Sequence, residues 1–167
     1  MIISTPLHFL AGGVLSVESY EMELDEESEL HMAVLTRWFE EGWGKRYFDL
    51  VDELFSPEFI AEGGIAGKLD RLAYKAYCKR VIEVSPDMNT VILELIPAQD
   101  IIVSRVRSTG THGGSAQGVE ATGSRYDTII IDVWKFKDGL IVKRENADID
   151  AAHLREVFGA SPRYQAN

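Results

Sequence analysis

The 167-residue sequence is short of several things, and each shortage excludes something. It has one cysteine, Cys78, so an internal disulfide and any multi-cysteine metal site are ruled out, and a reducing compartment suits it. It has no long apolar run. Residues 1–17 are mildly apolar but lack a basic flank and are interrupted by Pro6, His8, Gly12 and Gly13, which reads neither as a signal peptide nor as a spanning helix. Bases are scarce, with 17 Lys and Arg against 27 Asp and Glu. Seven of those acids (Glu18, Glu21, Glu23, Asp25, Glu26, Glu27 and Glu29) lie in one segment without a base, and the remainder is 20 acids against 17 bases. The acidity therefore belongs to a leader, and nothing in the chain attracts nucleic acid. A cytoplasmic protein without membrane contact is expected.

What is present is one domain's worth of apolar residues, 46% of the chain. Apolar positions from Glu29 onward recur at spacings of three and four (Leu30, Val34, Leu35, Trp38, Phe39), predicting a helix that stops at Gly42 and Gly44. A second helix is predicted over 47–55, ended by Ser56-Pro57, and a third over 68–84, ended by Ser85-Pro86-Asp87. Residues 59–67, with three glycines, read as an open crossing between them. Beyond Asp87 the period changes to that of strands, over 91–96, 101–112, 126–136 and 140–148. Asp138-Gly139 is a hairpin signal between the last two. The glycine-rich stretch 110–123 reads as a mobile connection, and 151–158 as a closing helical turn. Helices first and strands afterwards predict an α+β domain over 29–159, with about three helices on a curved, mostly antiparallel sheet of at least four strands. An acidic leader (1–28) and a polar tail (160–167) flank it.

Several stretches carry a family resemblance: Phe39-Glu40-Glu41-Gly42-Trp43, the run from Val51 to Phe59, Gly110-Thr111-His112 and the run from Ile131 to Ile141. The ending Asp150 to Gly159 adds to them. In this order and spacing they resemble the SnoaL-like polyketide cyclases, in the superfamily named after nuclear transport factor 2 and ketosteroid isomerase. The resemblance implies a cone-shaped fold enclosing one apolar pocket, in a family of cyclases, isomerases, dehydratases, hydrolases and members without a known reaction. Function then has to be argued from the pocket. Many relatives carry histidine, tryptophan and aspartate in succession on the last strand, where this chain has Asn146-Ala147-Asp148. Relatives also often place a histidine where Glu62 stands.

Chemistry of this type needs a base beside a carbonyl, a donor for the enolate oxygen and a dry surround, and it requires neither metal nor cofactor. The resemblance puts a pocket carboxylate at Asp148, either a general base or a strand-end aspartate facing water. Asp150, two residues on, either modifies it or caps the next helix. His112, beside the glycine-rich stretch, either polarises a carbonyl or lies on the surface. Asp132 interrupts Ile129-Ile130-Ile131 and Val133, so it is either a pocket carboxylate or the partner of Arg105 or Arg107 on a neighbouring strand. Trp43, Phe59, Tyr126 and Trp134 are candidates to line the pocket with Glu62, and each aromatic is otherwise core. On the third helix, Arg71 either holds an acidic substrate or faces solvent. These residues suggest an enzyme acting on a small apolar or aromatic carbonyl ligand, or a non-catalytic binding or dimerisation module. Homodimers are expected from the resemblance.

Overall fold

The computed structural model describes residues 24–63, 67–115 and 120–147. Helix α1 (Glu26–Arg37) begins three residues before the expected Glu29, because Asp25 caps it by accepting from the Ser28 backbone N–H at 2.7 Å. Glu26, Glu27 and Glu29 thus form its first turn, where the helix end favours negative charge. The helix runs on into a π-helical turn, Trp38–Trp43, in which the Gly44 amide reaches the Phe39 carbonyl at 2.9 Å. The wider turn brings positions five apart onto one face, so Trp38 and Trp43 both enter the core with ring centroids 6.0 Å apart. Gly42 makes room: a Cβ there would lie 2.4 Å from Cε3 of Trp38.

Helix α2 (Leu50–Leu54) is shorter than predicted. The chain after it corrects the reading of 59–67 as an open crossing, since Phe55–Gly63 is a strand, β1, with Phe55, Phe59 and Ala61 buried. Pro57 is tolerated because the ladder is irregular between Phe55 and Ile60. The two-residue strand β2 (Leu69–Asp70) returns against β1, and Asp70 caps α3 (Arg71–Val84) by accepting from the Ala73 N–H at 2.8 Å. Strands β3 (Asn89–Ala98), β4 (Ile101–Thr111), β5 (Arg125–Lys137) and β6 (Leu140–Ala147) follow. Asp138 and Gly139, at φ 52° and 75°, make the expected tight turn between β5 and β6.

The sheet order is β2-β1-β6-β5-β4-β3, antiparallel except where β1 runs parallel to β6. Among the described residues six strands form a curved, unclosed sheet with the helices on its inner face, an α+β cone. On β4 the even positions Ile102, Ser104, Val106, Ser108 and Gly110 face inward, as do Tyr126, Thr128, Asp132, Trp134 and Phe136 on β5. Where a mobile connection was expected, Gly110 and Thr111 belong to β4. The ladder also continues, with the His112 N–H donating to Ser124 and the Gly123 N–H to His112. None of the described helices is long and apolar enough to cross a membrane.

Candidate functional site

Asp132 is 3% exposed in the middle of β5, opposite Ser104 on β4 and Asn146 on β6. Its partner is neither Arg105 nor Arg107, the two arginines considered on the neighbouring strand. Those sit at odd positions of β4 and point outward, Arg107 to Asp127 at 2.7 Å and Arg105 opposite Glu94. The Asp132 partner comes from β6: Nη2 of Arg144 lies 2.9 Å from Oδ1, and Nδ2 of Asn146 donates to the same oxygen at 2.6 Å. Neither contact engages Oδ2.

One irregularity creates this set. From the tight turn, Lys137 pairs with Leu140 and Phe136 with Ile141, a count that would set Asp132 against Glu145 and Trp134 against Lys143. A bulge between Lys135 and Phe136 slips the register by one, so Arg144 meets Trp134 and Asn146 meets Asp132. The slip exchanges which side chains of β6 face inward. Ile141 and Arg144, of opposite parity, both point to the core side, and Lys143 and Glu145 pair with each other outside at 2.7 Å.

Helix α3 closes the site from the other layer. The Arg144 guanidinium carbon lies 5.8 Å from the Tyr74 ring centroid and 5.6 Å from that of Trp134, within cation–π range. Burial works against the Arg144 charge, but the Asp132 carboxylate beside it outweighs this and holds the guanidinium firmly protonated. Burial pushes the Tyr74 phenol well above its ordinary value, so it remains a neutral hydroxyl. Burial likewise pushes the Cys78 thiol up to about 12, making it an inert core residue. Two buried N–H groups here have no hydrogen-bond acceptor among the described residues, Nε of Arg144 and Nε1 of Trp38. The Trp38 ring centroid is 6.1 Å from that of Tyr74, so both side chains pack near the same residue.

The expected site residues divide between this cluster and other places. Trp134 belongs to it, donating from Nε1 to Ser104 Oγ at 2.8 Å, and Phe59 adjoins it by packing on Tyr74 at 5.1 Å. Trp43 packs edge-on against Phe48. Glu62 is at the surface, ion-paired at 3.0 Å with Lys143 and 3.2 Å with Lys68, which hold its carboxyl below the usual range. Arg71 bonds the Phe55 carbonyl at 3.2 Å. His112 is fully buried with Nδ1 3.0 Å from Thr122 Oγ1, and Tyr126 at the same end donates to Ser85 Oγ at 3.0 Å. His112 and Asp132 share the inner face without meeting. His112, the residue after β4, is eight steps along the chain from Ser104, the residue facing Asp132, about 26 Å at the usual strand rise. Asp148, Asp150 and the helical turn expected at 151–158 lie outside the described residues. Sequence reasoning missed Arg144, whose signal was hidden in the surface-like run Lys143-Arg144-Glu145-Asn146.

No curated protein matches the sequence. Among solved structures, a protein described as a SnoaL-like polyketide cyclase from Jannaschia sp. CCS1 superposes with a TM-score of 0.76 at 20% identity, over 84% of this chain and 99% of that one. AclR from Streptomyces galilaeus, described as a candidate hydroxylase, gives 0.66 at 18% identity over 81% of this chain and 99% of that one.

 IdmH from Streptomyces antibioticus, described as a candidate polyketide cyclase, gives 0.61 at 17% identity over 76% of this chain and 99% of that one. Identities this low speak for the fold alone. The SnoaL-like polyketide cyclase family profile matches residues 33–156, most of the chain and all of the cluster around Asp132, and the chain belongs to that family.

Proposed function

We propose that the protein is a small-molecule enzyme of the cyclase or isomerase type, with Asp132 as the carboxylate that takes a proton from carbon beside a carbonyl. The observation that carries this reading is the Asp132 carboxylate itself, 3% exposed and held through one oxygen by Arg144 and Asn146. A carboxylate so fixed presents its other oxygen in a defined direction, in surroundings that strengthen its electrostatic effect. The neutral Tyr74 hydroxyl and the Arg144 guanidinium are the groups suited to the enolate oxygen. The substrate is a mostly apolar carbonyl compound bound in a pocket beside Phe59 and Trp134, and the protein is cytoplasmic.

Asp132→Asn keeps the shape and the contacts to Oδ1 while removing the base. It is expected to lower turnover about a hundredfold or more, with the folded state retained by circular dichroism. Full turnover would remove Asp132 from the reaction. Asp148→Asn, measured beside it, tests the carboxylate that the resemblance favours. Labelled solvent oxygen in the product would assign water addition instead.

A second reading, a non-catalytic ligand-binding or dimerisation module, is favoured by the dense packing of Trp43 and Phe59 among other rings. It predicts binding without turnover for every carbonyl compound tried. Either reading includes a homodimer formed through the outer face of the sheet. Val91, Leu93 and Ile96 are 48%, 43% and 46% exposed there, an apolar surface of the kind that pairs between subunits. Light scattering is expected to give twice the chain mass, and Leu93→Lys to give the mass of one chain; a single-chain mass for the unmodified protein would refute the dimer.

A further inference from the structure

Arg144 is more than the partner of Asp132. One guanidinium nitrogen is committed to that carboxylate, yet Nε is buried without an acceptor among the described residues. The side chain is 16% exposed against 4% for Asp132, so the cation is the reachable member of the pair. Its guanidinium carbon lies over two aromatic rings, those of Tyr74 and Trp134, and the Trp38 indole, whose N–H also lacks an acceptor among the described residues, packs near the same Tyr74 ring. Buried donors without acceptors are costly in a finished core, and a ligand oxygen would satisfy them.

We infer that Arg144 is a substrate-recognition group, and that the site selects flat aromatic ligands carrying an ionised oxygen, such as a carboxylate or an acidic enolate, over neutral ligands of the same shape. This rests on the reading of the Asp132 cluster as the ligand site. An anionic oxygen accepts charge-assisted hydrogen bonds from the guanidinium, and the ligand plane lies against the rings around it. Asp132 then has two effects of opposite sign. It orients Arg144, and its negative charge opposes the incoming anion.

The test compares naphthoate with naphthamide, which share a shape and differ in charge, by calorimetry on the full chain at neutral pH. Naphthoate is expected to bind at least about tenfold more tightly, as for a charge-assisted bond formed out of water. In Asp132→Asn the naphthoate affinity is expected to rise several-fold while naphthamide binding changes little. In Asp132→Asn/Arg144→Gln, which leaves no unpaired buried charge, the preference is expected to fall to about one. Equal binding of the two ligands to the unmodified protein would overturn the inference. So would a preference surviving in the double variant, or no saturable binding of either ligand. Binding is measured without turnover, so the two proposals fail separately. An Asp132→Asn variant that binds the anion more tightly and still turns substrate over ends the base assignment and leaves anion recognition standing.

Discussion

Arg144→Met is expected to lower the unfolding free energy by about 3–5 kcal/mol, the loss typical of a buried ion pair broken from one side. Methionine fills most of the space of the arginine stem but leaves the Asp132 carboxylate in the interior with the Asn146 amide. The contacts of the guanidinium with Tyr74 and Trp134 disappear as well. Replacing both partners gives a different result, because Asp132→Leu/Arg144→Met removes the stranded charge along with its partner. Buried pairs exchanged for apolar residues of similar size are often neutral or stabilising, so the double variant is expected to regain most of the loss. Urea denaturation of the parent, Arg144→Met, Asp132→Leu and the double variant gives the coupling directly. A single variant within about 1 kcal/mol of the parent would mean that water reaches Asp132 freely, which would contradict its burial.

The second large effect concerns Gly42, where the sign of the change is informative. In an ordinary helix interior, alanine is about 1 kcal/mol better than glycine. Here the new methyl would lie 2.4 Å and 2.6 Å from two ring carbons of Trp38. That ring is fully buried against Phe55, Phe48 and Tyr74 and has nowhere to retreat. Gly42→Ala is therefore expected to destabilise by about 1–3 kcal/mol, as overpacked cores do, with a lower thermal midpoint and an altered near-ultraviolet tryptophan signal. A raised midpoint would show that the π-helical turn relaxes to accommodate the methyl group.

The parts of the fold legible in the sequence were those specified locally. Strands β4 and β5 alternate buried and exposed residues over long runs, and Asp138-Gly139 marks the turn between β5 and β6. Strand β1 was not legible, because Pro57 and the glycines after it suit a loop and the strand is held by a partner from the far end of the chain. The candidate site divides in the same way. Asp132 announced itself as an acid among isoleucines. Arg144 did not, since its inward direction depends on a bulge that no residue type marks, and the simple count from the turn would have sent Lys143 inward instead. His112 shares the inner face with Asp132, and only the length of β4 shows that the two stand apart.

The parallel pairing of β1 with β6 also bears on how the protein is made. Phe55 pairs with Ile141 and Gly63 with Asn146, so the strand that follows the first helices waits for nearly the whole chain before it finds that neighbour. On a ribosome, β3, β4 and β5 can assemble as hairpins while β1 still has an open edge beside β2. Strand β6 closes that edge and also delivers Arg144 and Asn146 to Asp132. Until it emerges, the Asp132 carboxylate has neither partner, so completion of the sheet and neutralisation of its buried charge are one event, late in synthesis.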